Sequence, residues 1–261
     1  MFGRRILILV PHPDDEVVGC CAAICRARAQ GAEVFAVYLT TGVPGRKELW
    51  RWQRSRQAAR VTRRRAEARR AAELLHLEIV RFGEIPTRQL KTHIGPTLAA
   101  IRDHVRRLGA DTLWAPAYEG GHQDHDVANF TASRLCNEVP VWEFGEYNFG
   151  GGRIHSHEFV AVNGSEQTLQ LSGEEQEAKR RALGLYESEI KNLVFVRTDT
   201  EVFRPLATYD YSMRPHPGKL FYQRFQWVPY SSRVDYTQPA EVCRAMTAAA
   251  EQIRSQTGSE A

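Results

Sequence analysis

Arg5-Ile6-Leu7-Ile8-Leu9-Val10-Pro11-His12-Pro13-Asp14-Asp15-Glu16 is the stretch whose reading decides the fold. The aliphatic run from Ile6 to Val10 has no polar alternation, so it suits a strand covered on both faces, as in the middle of a parallel sheet. Pro11 ends that strand, and the acids after Pro13 stand where a helix N-terminus favours negative charge. A helix is predicted over Glu16–Gln30, with Gly31 as its stop signal. With Arg4 and Arg5 in front, the run could be mistaken for a secretion signal. It is too short for one, and it leads into a proline and three acids rather than a small-residue cleavage site. No segment has the roughly 18–20 apolar residues that a membrane-spanning helix needs. The expected location is the cytoplasm.

Further strand-like runs lie at Glu33–Leu39, Glu78–Phe82, Thr112–Ala115 and Val141–Phe144. Helical stretches at Arg51–Leu75, Ile94–Leu108 and Val127–Cys136 separate them. Strands alternating with helices through short links predict an α/β fold, a Rossmann-like, doubly wound and mostly parallel sheet. After Gly150-Gly151-Gly152 the pattern changes, with a strand predicted over Glu158–Val162 and a helix over Glu174–Tyr186. From Lys191 to Tyr236 aromatics, prolines and arginines alternate without a helical period, which predicts irregular structure with short antiparallel strands. A last helix is predicted over Glu241–Arg254, followed by a frayed tail from Ser255. Residues 1–261 are read as one domain, a parallel core at 1–145 carrying an irregular, partly antiparallel C-terminal extension at 146–261.

With 43% hydrophobic and 25% charged residues, the chain has the balance of a globular protein that can bury a substantial core. Its net charge of +4 conceals a local excess. Arg46–Arg70 contains ten arginines and one lysine against two glutamates, so the basicity belongs to one segment and the rest of the chain is net negative. The five cysteines, Cys20, Cys21, Cys25, Cys136 and Cys243, are odd in number and form no CxxC pair. Buried, reduced thiols are expected, not a disulfide framework or a thiolate metal site.

In an open α/β sheet, ligands bind beyond the carboxyl ends of the strands. The first strand runs directly into His12, Asp14, Asp15 and Glu16; the fourth leads through Pro116 into Glu119, His122, Asp124, His125 and Asp126. Either cluster alone has a bland explanation, a turn with a helix cap for the first and coincidence for the second. Both together, each after its own strand, form a candidate metal site of histidines and carboxylates. A catalytic zinc takes three such ligands and leaves a position open for water, whose pKa it lowers to about 7. Attack on an amide then needs a base, charge stabilisation at the oxyanion and an acid for the leaving amine, and the two clusters supply candidates for each.

His12-Pro13-Asp14-Asp15-Glu16 and His122-Gln123-Asp124-His125 resemble the motifs of the PIG-L/LmbE-like family of zinc-dependent N-acetylglucosaminyl deacetylases. Arg64-Arg65-Ala66-Glu67 and Tyr186-Glu187-Ser188-Glu189 match it more weakly, and the matched frame covers about Arg5–Glu189. The resemblance implies that His12, Asp15 and His125 hold the metal and that Asp14 is the base on a metal-activated water. It implies that His122 stabilises the tetrahedral intermediate or protonates the leaving amine, with Asp124 tuning it, and that Arg64 helps hold the substrate. The cofactor implied is Zn2+, although two histidines and one carboxylate also suit Fe2+. The expected substrate is a small N-acetylated amino sugar, in phosphorylated or lipid-linked form among others, and relatives are often homo-oligomers.

Two departures stand out. Thr87 occupies the place of an aspartate common in relatives, and Glu189 replaces the glutamine of a Ser-Gln pair. They bear on the substrate, and leave room for a different amide such as a thiol–sugar conjugate or an antibiotic intermediate. The arginine-rich segment, with Trp50 and Trp52, supports a rival reading as a surface for an anionic ligand, a membrane or nucleic acid. No nucleic acid is expected, because the catalytic positions are all filled by competent residues. His155, His157 and His216 are expected to be structural or at the surface.

Overall fold

The unalternating aliphatic run becomes the central strand of the sheet. In β1 (Arg5–Val10) the side chains of Leu7 and Leu9 enter one hydrophobic layer and those of Ile6, Ile8 and Val10 the other. The computed structural model describes residues 1–228 and 234–258. After β1 come α1 (Asp15–Ala29), β2 (Glu33–Pro44), α2 (Gln57–Leu75), β3 (Glu78–Thr87), α3 (Ile94–Leu108), β4 (Thr112–Pro116), α4 (Gln123–Ser133) and β5 (Val141–Gly145). The chain continues through β6 (Tyr147–Asn148), β7 (His155–Ser156), β8 (Gln167–Gln170), α5 (Gly173–Gly184), β9 (Thr200–Pro205) and α6 (Pro239–Gly258).

Seven strands form one sheet in the order β3-β2-β1-β4-β5-β9-β8, while β6 and β7 pair separately. Strands β1 to β5 are parallel; β9 runs antiparallel to both β5 and β8. The fold is thus the expected doubly wound, mostly parallel α/β arrangement with an antiparallel edge. The strand order turns at β1 and β4, which opens a crevice beyond their carboxyl ends.

Several boundaries differ from expectation for local reasons. Helix α2 starts at Gln57 instead of Arg51, because Trp50 stacks on Trp52 with centroids 5.1 Å apart and the Arg54 Nε donates to the Leu49 carbonyl at 3.1 Å. Helix α4 starts at Gln123, four residues ahead of the predicted Val127, because the His122 ring caps it by accepting the Asp124 N–H. It ends at Ser133, so Cys136 is exposed and not buried as expected; all five cysteines are free. Residues Glu158–Val162 do not form the predicted strand. Asn148 Nδ2 donates to the Glu158 carbonyl at 2.7 Å, and the Arg204 guanidinium lies 4.0 Å over the Phe159 ring, so side chains occupy this run instead of a neighbouring strand. Helix α5 stops at Gly184. Helix α6 passes the predicted fray point at Ser255 and reaches Gly258; residues 229–233 and 259–261 lie outside the described residues.

The C-terminal segment is bonded into the core. Glu201 on β9 accepts the N–H groups of Ala22 and Ala23 on α1, each at 2.9 Å, and pairs with Lys179 Nζ on α5 at 2.9 Å. Lys179 and Glu201 are both fully buried, and each would be costly without the other.

Candidate active site

The link from β1 to α1 is tight and strained. Asp14 has φ 137° and ψ −27°, a region that non-glycine residues rarely adopt and that persists only where surroundings hold it. Its N–H donates to Glu16 Oε2 at 3.1 Å. One residue later, Asp15 opens α1, and its carboxylate accepts the His12 N–H at 2.7 Å. Across the crevice, the chain leaving β4 turns at Gly120-Gly121, and α4 brings His125 to the same place.

His12, Asp15 and His125 form a nearly equilateral triangle of donor atoms. The separations are 3.2 Å from His12 Nδ1 to Asp15 Oδ2, 3.2 Å from His125 Nε2 to the same oxygen and 3.2 Å between the two nitrogens. Bonds of about 2.0–2.1 Å at tetrahedral angles place ligand atoms about 3.3–3.4 Å apart, so this donor set fits a small divalent cation. A second grouping, His12 with His122 and Asp124, is close enough to be considered. Its atoms are already committed. Asp124 Oδ2 receives Thr87 Oγ1 at 2.9 Å, the Arg88 N–H at 2.7 Å and His12 Nε2 at 3.0 Å, and His122 Nδ1 receives the Asp124 N–H at 3.1 Å. The first triangle is therefore the candidate metal site.

The Asp124 carboxylate bonds His12 Nε2 at 3.0 Å and lies 3.6 Å from His122 Nδ1, so it stands against both rings. Thr87, at the position where relatives often have an aspartate, spends its hydroxyl on Asp124. Burial works to lower His12, but Asp15 and Asp124 outweigh it and raise its pKa to about 10. Burial likewise acts to raise Asp124, yet His12 and His122 pull it below the usual carboxylate range. Burial and the neighbouring His12 hold His122 well below an ordinary histidine, so its ring is neutral. With Nδ1 accepting from the backbone, Nε2 carries the hydrogen and is a donor.

Asp14 lies against Arg64, whose Nη2 is 3.3 Å from Asp14 Oδ1 and whose Nη1 is 3.2 Å from Glu189 Oε1. Burial pushes the Asp14 carboxyl up, Arg64 draws it back, Asp15 pushes again, and the balance is about 7. Gly42 has φ +65°, and a Cβ there would lie 3.0 Å from Arg64 Nη2, so a glycine lets the guanidinium reach Asp14. The weaker motifs meet in the same place. Ser188 donates through its N–H and hydroxyl to Glu67 on α2, and the Tyr186 hydroxyl bonds Glu16.

His12, Asp14 and His122 line a cavity of about 1300 Å³. Its wall also includes Arg56, Arg60, Arg63 and Lys191, with Trp52 and Phe225 on the apolar side. Several charges of the basic segment are engaged within the fold: Arg63, on that wall, pairs with Glu67 and Glu187, Arg65 pairs with Glu84, and Arg69 lies 4.9 Å over the Phe82 ring. That weakens the nucleic-acid reading. Among the other histidines, His157 is buried and shares its ring nitrogens with the Gly145 and Arg197 carbonyls, while buried His216 bonds the Pro217 carbonyl. Both are structural, as expected, and His155 pairs with Glu158.

Sequence reasoning placed the buried Glu119 in the second cluster without giving it a role, and missed one buried acid near the site, Glu146. Burial raises Glu119 to about 8, with Glu143 adding to it, and raises Glu146 well above an ordinary glutamate. Glu146 has no local pattern that marks it.

A family model described as PIG-L: GlcNAc-PI de-N-acetylase matches residues 7–136. No curated protein sequence matches the chain. Among solved structures, the antimicrobial A40926 pseudoaglycone deacetylase Dbv21 is similar with a TM-score of 0.61 and 17% identity, over 79% of this chain and 99% of that one. An N,N'-diacetylchitobiose deacetylase from Pyrococcus horikoshii gives 0.57 and 20%, over 77% and 83%. The 4-carboxy-2-hydroxymuconate hydratase GalB from Pseudomonas putida gives 0.56 and 17%, over 79% and 98%. At such identities the likeness is one of fold, and GalB carries a different reaction on it.

Proposed function

We propose that this chain, which belongs to the PIG-L family, is a metal-dependent hydrolase that removes an N-acyl group, acetyl first among them, from an amino-sugar compound. The observation that carries the reading is the 3.2 Å triangle of His12, Asp15 and His125 beside a cavity that Asp14 and His122 also line. Those three residues would hold the ion, zinc first and ferrous iron as the other metal suited to the set. When bound, the ion polarises the amide carbonyl and makes water a stronger nucleophile near neutral pH.

Asp14 takes the proton of the attacking water. A carboxyl raised to about 7 is a better base near neutrality than an ordinary aspartate, and a positioned base contributes about 10²–10⁴ in rate. His122, neutral and with hydrogen on Nε2, donates to the oxygen on which negative charge develops. Asp14, protonated by then, is the group that returns a proton to the leaving amine. Asp124 fixes His12, and Arg64 holds the Asp14 carboxylate in place.

The basic and apolar cavity wall supports an amphiphilic substrate with an anionic group, such as a phosphorylated or lipid-linked amino sugar. Thr87 committed to Asp124 and Glu189 beside Arg64 favour a sugar contact unlike that of other members, which keeps a different amide in view. The test is acetate release from free, phosphorylated, inositol-linked and lipid-linked N-acetylglucosaminides, with zinc-loaded protein beside its Asp14→Ala variant. Release by the native protein alone supports the reading and ranks the substrates. Equal release by both proteins refutes the role of Asp14, and no release by zinc-loaded protein refutes the amino-sugar substrate.

A further inference from the structure

Glu146 follows directly on β5 and is 2% exposed; neither of its carboxyl oxygens meets a hydrogen bond of good geometry, and the nearby Asp15 adds to the burial that raises its pKa. A buried acid with both acceptors unmet is costly, so its retention calls for a reason. Its Oε2 faces His125 Nδ1 at 3.7 Å, just beyond hydrogen-bond length. The opposite nitrogen of that ring, Nε2, is the one in the donor triangle. His12 shows the same design with the contact closed: Nδ1 is in the triangle and Nε2 bonds Asp124 at 3.0 Å. One carboxyl group thus stands behind each imidazole.

The position of Glu146 is held from several sides. Its carbonyl accepts the His157 N–H at 2.9 Å, and the ring of the next residue, Tyr147, meets His125 edge-on with centroids 5.5 Å apart. The backbone of Glu146 is therefore fixed beside His125.

We propose that Glu146 is a positioning residue that accepts the Nδ1 hydrogen of His125 when the ion is bound, and so turns the Nε2 lone pair toward the ion as Asp124 does for His12. The inference rests on the metal reading above. Metal-bound histidines as a rule give their second N–H to a carboxylate, carbonyl or water, and loss of that partner weakens metal binding by about 10–100-fold.

The test measures zinc affinity of the full chain by competition with a fluorescent chelator, for the native protein, Glu146→Leu and Glu146→Gln. Expected is a loss of about 10–100-fold in Glu146→Leu and a smaller loss in Glu146→Gln, whose amide oxygen still accepts the N–H. The thermal midpoint of metal-free Glu146→Leu is expected to be at least that of the native protein, which separates positioning from support of the fold. Nitrogen-15 spectra of the zinc-loaded native protein provide a check independent of any variant, with the His125 hydrogen expected on Nδ1. A bare Nδ1 there overturns the proposal, as does equal zinc affinity in all three proteins. A native protein that takes up no zinc overturns the metal reading first and this inference with it.

Discussion

Arg64 divides its charge between two carboxylates, and in the proposed mechanism that division sets the pH range in which Asp14 would be a base. It lies 3.3 Å from Asp14 and 3.2 Å from Glu189, so removing either partner moves Asp14 in a predictable direction. Unit charges at such distances interact by about 5 kcal/mol at an effective dielectric constant near 20, before solvation is counted. The net result of an adjacent arginine on a carboxylate is smaller, about 1–3 pH units. The sign follows from Asp14 itself. Its pKa is raised by burial, with Arg64 opposing, and the proposed mechanism makes its ionised form the active one, so kcat/KM should hold above that pKa and fall as pH drops through it. A bound cation lowers the whole limb below about 7. Arg64→Gln should move the acid limb up by about 1–3 pH units, while Glu189→Gln, which frees Arg64 for Asp14, should move it down. The assay is kcat/KM for acetate release across the pH range, with the best substrate of the panel. Limbs that stay put, or that move in the same direction, refute this electrostatic reasoning. A loss in Arg64→Gln that is uniform in pH would instead return Arg64 to the substrate-holding role implied by family resemblance.

Three further outcomes are expected. His125→Ala should bind no stoichiometric zinc, whereas Asp14→Asn should bind it and still lose about 10²–10⁴ in kcat, as metal analysis and turnover together would show. Glu119 and Asp126 both have folded pKa values raised to about 8 by burial. The folded state keeps their protons where the unfolded chain has released them, so metal-free stability should fall as pH rises from about 4 to 8, and Glu119→Gln should flatten that decline in a thermal-denaturation series. Arg56→Glu with Arg60→Glu should raise KM for a phosphorylated substrate and remove most of its salt dependence, while leaving a neutral N-acetyl sugar little changed.

What was legible in the sequence was local. β1 declared itself through five aliphatic residues that fill both layers, and the strand-end rule then joined His12, Asp14 and Asp15 to His125 across more than a hundred residues. Helix α4 starts four residues ahead of the expected Val127 because its cap is a histidine, a residue outside the usual capping set, so the polar run Gln123–Asp126 carries no start signal. The expected strand at Glu158–Val162 is absent because side chains, Asn148 from the preceding β6 and Arg204 from β9, engage this run instead of a neighbouring strand.

The same distinction separates the donor triangle from its supports. A ligand must sit at a strand end or a helix start facing the crevice, and these positions leave a spacing that can be read. A supporting carboxylate needs only to reach the far side of an imidazole, from whichever element the topology sets there. For His12 it is Asp124, inside a motif and therefore visible; for His125 it is Glu146, a lone acid after β5 with nothing around it to mark it. Its position depends on the sheet continuing past β5 into β9 and on the β6–β7 pair folding back, both supplied by the C-terminal segment. We therefore propose that residues 146–261 fold with the parallel core as one unit, for which a single thermal transition followed by both circular dichroism and Trp fluorescence is the expected sign. Two separable transitions would mean that the environment of His125 is completed by a part that can come away.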